Sequence, residues 1–115
     1  MARRRMFSKD IVSTDKFYAL PIRAQLLYFQ LGMNADDDGF VSSPRGVMRL
    51  IKAAVTDLQL LSERGYIILY PDGVCLISDR LTNNQLRSDR HTPTVQYEKM
   101  ADLTVISGRY YLPMS

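Results

Sequence analysis

Three consecutive carboxylates precede a glycine in the stretch NADDDGFVSSPR, which runs from Asn34 to Arg45. Counted from Asn34, the stretch places oxygen-bearing side chains at the first, third and fifth positions of a calcium loop, followed by the glycine of its sharp turn. The twelfth position of such a loop carries a bidentate glutamate, and here it is Arg45, whose charge repels a divalent cation. Clusters of Asp and Gly between apolar runs are also ordinary turn chemistry. We therefore predict a turn, and we expect no metal or other cofactor.

The single cysteine and the single histidine offer little other chemistry. Cys75 alternates with Leu76 in a strand-like run, which favours a place in the core over a nucleophile. His91 is expected to be a surface histidine. One cysteine and one histidine cannot form an internal disulfide or a zinc cluster within one chain. Since no Ser/His/Asp or Cys/His set can be assembled, we do not expect an enzyme.

Basic side chains point to another kind of site. Arg45, Arg49 and Lys52 fall at positions i, i+4 and i+7 of a predicted helix, so they project from one face. A solvated helix face is the alternative interpretation of this stripe. The N-terminal run Arg3, Arg4 and Arg5 resembles the arms that grip phosphates or the minor groove.

Two further stretches carry candidate DNA contacts. Gln59 lies in a predicted helix and Gln can pair with adenine, although Asp57 and Glu63 on its outer face repel phosphate. The polar stretch LTNNQLRSDRHTPT, residues 81–94, suits either a solvated linker or a nucleic-acid contact. The candidate contacts within it are Asn83, Asn84, Arg87 and Arg90.

Length and composition indicate one compact domain outside the membrane. The chain has 115 residues, of which 46% are apolar, and this is enough for one modest core. It contains no run of about 18 apolar residues and no apolar stretch typical of a secretory signal. We therefore expect a cytoplasmic location. The balance of 15 basic against 12 acidic residues is mild, and its uneven distribution matters more than its sum.

Apolar spacing and capping residues predict the first helices. Ser13 is expected to cap a short helix that runs through Tyr18, and Pro21 to open a longer one. The apolar stripe of the longer helix is expected to face the core. The stripe consists of Ile22, Leu26, Phe29 and Met33, widened by Leu27 and Leu31.

Beyond the acidic turn the pattern predicts a short strand, two helices and a hairpin. Residues 39–42 read as extended, and Ser43 and Pro44 start a helix. Its apolar face is Val47, Met48, Leu50 and Ile51. A capping box of Thr56 and Gln59 starts the next helix, which packs through Leu58 and Leu61 and stops at Gly65. Two strands, 66–70 and 74–78, flank the turn Pro71-Asp72-Gly73.

The order helix, short strand, helix, helix, hairpin predicts a winged helix-turn-helix, an α+β fold that is mainly helical. In such folds the last of the three helices usually enters the major groove of DNA. We expect a winged-helix domain over residues 1–94, including the basic arm, and an extension over 95–115. The extension is predicted to hold a short helix within 95–103 and a weak strand or tail within 104–112. Because Asp72 lies at the hairpin tip without a cation, we expect a passive or protein-facing wing.

Three segments in the same order and spacing resemble one protein family. They are MARRRMFSKDIVSTDKF, LPIRAQLLYFQLGMNADDDGFV and NNQLRSDRHTPT, and together they cover about residues 1–94. They resemble the N-terminal domain of phage replisome organisers, the DnaD-like replication initiation proteins of phages that infect Gram-positive bacteria. The resemblance implies binding of double-stranded DNA at a phage origin, in the cytoplasm of a bacterial host. The positions that match the last motif are Asn83, Asn84, Arg87, Asp89 and Arg90.

Several alternatives stay open. Longer members of the family carry a C-terminal region that recruits the helicase-loading machinery, whereas this sequence ends at Ser115, as a short prophage homologue or a truncated chain would. Host replication proteins and a second copy of the chain are therefore open as partners. A winged helix can also serve as a transcription regulator, or as a protein-interaction or dimerisation domain that binds no DNA.

Overall fold

A computed structural model describes residues 6–79, 96–106 and 108–112 of the chain. This part is a mixed α+β structure with two small antiparallel sheets. Its helices are α1 (Lys9–Val12), α2 (Asp15–Tyr18), α3 (Ile22–Met33), α4 (Pro44–Ile51), α5 (Val55–Glu63) and α6 (Tyr97–Ala101). Its strands are β1 (Phe40–Val41), β2 (Ile67–Leu69), β3 (Cys75–Ile77), β4 (Thr104–Ile106) and β5 (Arg109–Tyr111). Within these ranges, each helix is too short or too polar to cross a membrane.

Two short helices, rather than one, precede α3. The hydroxyl of Ser8 accepts the Asp10 N–H at 3.2 Å, and the hydroxyl of Thr14 accepts the Phe17 N–H at 3.1 Å. Each hydroxyl satisfies a backbone donor that the first turn of a helix leaves without an intrahelical partner. The prediction of Ser13 as the cap was therefore wrong by one residue, and α1 was not predicted.

Helix α3 begins directly after Pro21, as predicted, and it buries Leu27 and Leu31 of the predicted stripe but leaves three other members of that stripe outside. Ile22, Leu26 and Met33 are 83%, 43% and 50% exposed. The buried residues are Ala24, Leu27, Tyr28, Leu31 and Gly32. Most residues of α3 are apolar, so its sequence holds two apolar stripes, and spacing alone does not select between them.

Aromatic rings fill the space between α3 and the N-terminal segment. The ring of Phe17 lies edge-on to those of Tyr28 and Tyr66, with centroids 5.4 and 5.5 Å away. Phe7 packs edge-on against Phe29 at 5.0 Å. A Cβ atom at Gly32 would lie 2.6 Å from the ring of Phe7, so this contact requires glycine. The N-terminal segment thus covers one flank of α3.

The acidic stretch is a turn between α3 and β1, as predicted. The Asp36 carboxylate accepts the N–H groups of Asp38 and Phe40 at 3.0 and 2.9 Å. Gly39 follows with φ +98°, a conformation that favours glycine. Asp37 is 1% exposed. The Asp36 carboxylate is therefore part of the turn itself, in the manner of the side chain of an Asx turn.

Helix α4 starts at Pro44 as predicted, and it packs through Val47 and Met48, which are both buried. Leu50 was assigned to the same face, but it is 85% exposed. At 100° per residue, Leu50 lies beyond the edge of the face centred on Val47 and Ile51. The predicted apolar face is therefore correct except at Leu50.

The predicted hairpin is present and carries β1 on its other edge, in the order β1-β3-β2. Ile68 pairs with Leu76 on one side of β3, and Phe40 pairs with the same residue on the other side. The hairpin turn closes through the Gly73 N–H, which donates to the Tyr70 carbonyl at 3.0 Å. Side chains alternate along β3, so Cys75 and Ile77 enter the helical core while Leu76 faces the opposite side.

The C-terminal segment covers that opposite side of the sheet. Tyr110, which is 1% exposed, packs with Phe40, Val74 and Leu76 in a second apolar cluster. Its N–H donates to the Ser78 carbonyl at 2.7 Å. Helix α6 lies within the predicted range 95–103. The predicted weak strand is a paired hairpin, because β4 and β5 run antiparallel over residues 104–106 and 109–111.

An ion pair joins the same segment to the hairpin. Arg109 Nη1 lies 2.9 Å from the Asp79 carboxylate, and Arg109 Nη2 donates to the Gly65 carbonyl. Burial raises the pKa of the Asp79 carboxyl, an effect that the positive charge of Arg109 opposes. Arg109 thereby binds the backbone just after the end of α5, at Gly65, which lies 44 residues earlier in the chain.

Candidate nucleic-acid interface

The predicted basic stripe lies on the outer side of α4. Arg45, Arg49 and Lys52 are exposed, whereas Val47 and Met48 on the other side of the helix are buried. The three cations line one open concavity together with Met48 and residues 53–55. Within the described part of the chain, none of the three forms an ion pair. Their charges are therefore available to a ligand on this side.

Lys52 joins the stripe to α5 through an unusual backbone conformation. It is the C-cap of α4 and has a φ of +57°, the one positive φ at a non-glycine among the described residues. This left-handed conformation ends α4, and the Ala53 N–H then donates to the Met48 carbonyl at 2.9 Å. Ala53 and Ala54 connect the two helices, and Val55, the first residue of α5, lines the same concavity.

Helix α5 begins two residues earlier than predicted, and with a different cap. Ala54 is the N-cap, and the Asp57 carboxylate accepts its N–H at 2.9 Å. Thr56 and Gln59 do not form the predicted capping box. Lys52 ends α4 early, which puts Asp57, rather than Gln59, at the third helical position, where a carboxylate can reach back to the N-cap.

Asp57 does not lie on the outer face of α5, which corrects a second prediction. It is 5% exposed, and Arg23 Nε of α3 lies 3.6 Å from its carboxylate. A carboxylate at a helix N-terminus is also stabilised by the helix dipole. One of the two acids expected to repel phosphate therefore points into the molecule and is paired.

The outer face of α5 is uncharged over its first two turns. Val55 is 48% exposed, and Thr56 and Gln59 are also exposed. The remaining acid, Glu63, lies at the last position of the helix, next to the exposed Arg64. Leu60 is half-buried and packs against the core. The first two turns, which lie beside the basic stripe, thus present an amide, a hydroxyl and an apolar side chain.

The tip of the hairpin β2–β3 is tied to α6 by Asp72. Lys99 Nζ lies 2.8 Å from the Asp72 carboxylate and 5.4 Å from the centre of the Tyr70 ring. Hydrogen bonding to Lys99 lowers the pKa of the Asp72 carboxyl. Part of the negative charge at the tip is therefore compensated from within the chain.

The other side chains that could bind a metal or act as a nucleophile are not arranged for such chemistry in the described residues. Over residues 6–79, 96–106 and 108–112, the side chains of His, Cys, Asp and Glu do not form a group of three that could hold a metal ion. Cys75 is buried, as predicted, and burial raises the pKa of its thiol to about 12. A thiol with that pKa carries almost no thiolate at neutral pH, so it is a poor nucleophile.

The remaining predicted contacts fall outside the described residues, and their roles stay predictions. They are Arg3, Arg4 and Arg5 of the arm, and Asn83, Asn84, Arg87, Asp89, Arg90 and His91 of the polar stretch.

The residues that sequence reasoning missed all act through partners distant in the chain. Arg23 pairs with Asp57, Lys99 with Asp72, and Arg109 with Asp79. Of these residues, only Asp57 could have been recognised from its neighbours in the sequence. It lies three residues after the N-cap Ala54, at the position from which a carboxylate can accept the N–H of the N-cap.

Comparisons with known proteins found no similar chain. No protein-family model, no curated protein and no solved structure matches the chain.

Proposed function

We propose that the chain is a winged-helix DNA-binding protein of phage or prophage origin that acts in the initiation of phage DNA replication. In this proposal α3, α4 and α5 are the three helices, β1 pairs with the wing, and β2 and β3 form the wing. The order of elements and the sheet order β1-β3-β2 support the winged helix. The replication role rests on the resemblance of the sequence segments to replisome organisers.

One observation carries the DNA-binding part. Arg45 and Arg49 of α4 and its C-cap Lys52 line a single concavity with Val55, the first residue of α5. Cations held by a packed helix set the orientation of a protein on the phosphate backbone, and side chains of the neighbouring helix then reach base edges. Gln59 and Thr56 are the side chains of α5 suited to that reading, because Gln pairs with adenine and Thr bonds several bases.

The burial of Asp57 favours this function over a protein-interaction domain. An exposed Asp57 beside an exposed Leu60 would break the positive surface and offer an apolar patch to a partner protein. Asp57 is instead buried against Arg23, and Leu60 packs on the core. Among the described residues that line the concavity, the charged ones are all cations.

Binding to a mixed-sequence duplex, followed by fluorescence anisotropy over a salt series, tests the proposal. We expect binding at low salt that weakens steeply as salt rises, because cations displace counterions from the phosphates. Replacing Arg45 and Arg49 with Ala should weaken binding and lower the salt slope by about 0.9 per lost phosphate contact. It should also reduce discrimination between selected and random duplexes, because α5 loses its register.

A matched control removes the same charge elsewhere. Lys9→Ala with Lys16→Ala takes two cations from α1 and α2, and neither lysine lines the concavity. This variant should bind almost as the original chain does. Absence of binding at low salt, or equal losses in the two variants, would overturn the proposal. Sequencing of bound phage-genome fragments would separate an origin site from an operator.

A further inference from the structure

Arg23, the one charged residue of α3, keeps its side chain largely in solvent. The side chain is 64% exposed, whereas that of its partner Asp57 is 6% exposed. Arg23 Nε lies 3.6 Å from the Asp57 carboxylate, which is beyond hydrogen-bond length. Among the described residues, this ion pair is the one polar contact of the guanidinium. Its N–H donors therefore remain free to bind another anion.

The Asp57 carboxylate has stabilising contacts besides Arg23. It accepts the Ala54 N–H at 2.9 Å, and it lies at the third position of α5, where the helix dipole favours a negative charge. These contacts lie within α5 and stay in place when the guanidinium turns to a different anion. Arg23 can therefore bind a ligand without leaving a buried carboxylate that has no hydrogen bond.

Ala54 relates the position of Arg23 to the basic concavity. The same carboxylate oxygen, Asp57 Oδ2, lies 2.9 Å from the Ala54 nitrogen and 3.6 Å from Arg23 Nε. Arg23 Nε is therefore at most 6.5 Å from the Ala54 nitrogen, which is the sum of these two distances. Ala54 lines the concavity together with the three cations of the basic stripe. Arg23 does not line the concavity itself, but it lies next to a residue that does.

An arginine at this place suits a phosphate of a bound duplex. Double-stranded DNA carries one negative charge per about 1.7 Å of its axis, so a backbone held in the concavity offers further phosphates close by. The planar guanidinium can donate two parallel N–H bonds to one phosphate, a geometry that the ammonium group of lysine lacks. The charge and the donors of Arg23 are therefore those that a phosphate beside the concavity requires.

We propose that Arg23 is a fourth phosphate contact of the DNA interface, supplied by α3 next to the first residues of α5. This inference rests on the proposed function and deepens it, because it adds a contact from a helix outside the basic stripe. Phosphate contacts from two separate helices restrict the orientation of the duplex more than contacts from one helix do. Because a phosphate carries no sequence information, the contribution of Arg23 is the same for all duplexes.

Fluorescence anisotropy with duplex DNA over a salt series tests the inference through the substitution Arg23→Gln. This variant should bind selected and random duplexes more weakly by the same factor, and its salt slope should fall by about 0.9. Arg23→Lys keeps the charge and should keep the slope. Arg64→Gln is the matched control, because Arg64 is an exposed arginine at the C-cap of α5, the opposite end from Asp57. Circular dichroism of every variant checks that the fold is kept.

Asp57→Asn separates a phosphate contact from neutralisation of Asp57, because asparagine keeps an oxygen for the Ala54 N–H but carries no charge. In this background Arg23→Gln should lower the salt slope by the same amount as in the original chain. Disappearance of the effect there, an unchanged slope of Arg23→Gln alone, or an equal loss in Arg64→Gln would overturn the inference. If the Arg45 and Arg49 variant still loses binding in those cases, the proposed function stands. Absence of any binding by the original chain would overturn both.

Discussion

Lys52 has two roles, one in its backbone and one in its side chain. Its left-handed backbone, with φ +57°, ends α4 and starts the reversal towards α5. Its ammonium group belongs to the basic stripe with Arg45 and Arg49. For an L-residue with a side chain, the left-handed conformation costs roughly 1–2 kcal/mol relative to the right-handed helix, and glycine avoids this cost. Glycine would therefore suit the backbone at this position best, whereas lysine supplies the charge that binds a phosphate.

Lys52→Gly should accordingly stabilise the fold and weaken DNA binding. We expect the free energy of unfolding to rise by up to about 1 kcal/mol, because relief of the left-handed strain exceeds the added entropy of the unfolded chain. Urea denaturation and anisotropy with duplex DNA measure the two effects. Arg49→Gly removes the same charge from the interior of α4 and should instead destabilise by about 1 kcal/mol. Equal destabilisation by the two substitutions would contradict this account.

At the scale of elements, α3 is a helix with two apolar faces. One face packs on α4 and α5, and the other is exposed to solvent. The aromatic contacts of Phe7 and Phe17 lie on the flank between them. The loss of unfolding free energy when a leucine on each face is replaced by alanine therefore tests directly which face forms the core.

Leu27→Ala and Leu26→Ala compare the two faces by removing the same atoms from adjacent positions. Leu27 is fully buried, and its loss should cost about 2–5 kcal/mol through lost transfer energy and the cavity left behind. Leu26 is 43% exposed, and its loss should cost well under half as much. Urea denaturation gives both values. A larger cost at Leu26 would contradict the assignment of Leu27 to the core.

At the scale of the whole molecule, the three-stranded sheet separates two apolar clusters. The helical core lies on one side, and the C-terminal segment with Tyr110 covers the other. Cys75 lies in the central strand and is fully buried. Its thiol can therefore meet solvent only when the sheet opens, which links its ionisation to the unfolding of the molecule.

The pKa of Cys75 makes stability fall at alkaline pH. Burial raises this pKa from 9.0 to about 12, so between these values the folded state keeps a proton that the unfolded state releases. The contribution is full below pH 9 and is lost as pH rises through the folded pKa, at about 1.4 kcal/mol per pH unit. Burial also raises the pKa values of Tyr66 and Tyr70, which adds to the same trend.

Cys75→Ala isolates the thiol, because both tyrosines remain. The difference in unfolding free energy between the original chain and this variant should narrow from pH 9 to pH 11. Urea denaturation at several pH values measures it. A difference independent of pH would show that the thiol is not protected by the fold.

Local signals determined the order and ends of most elements. Pro21 and Pro44 begin helices, Gly65 and Gly73 supply positive φ where the chain turns, and the acidic stretch forms a turn through its own carboxylates. These features depend on backbone conformations and hydrogen bonds within a few residues, so they can be predicted from the sequence. The side of α4 that carries Arg45 and Arg49 could be predicted for the same reason, because helical periodicity puts these two cations together, whereas Lys52 joins them from beyond the end of the helix.

Only the tertiary structure decided which apolar face is buried and which charges are paired. The spacing of α3 fits two stripes, and the core was selected by the packing of α4 and α5 around Leu27 and Leu31. Asp57 turned inwards because Arg23, 34 positions earlier in the sequence, lies beside it in the fold. Arg109 reached Asp79 and Gly65 for the same kind of reason. Such contacts carry no periodic signal, since they depend on where separate elements meet and not on the spacing within any one of them.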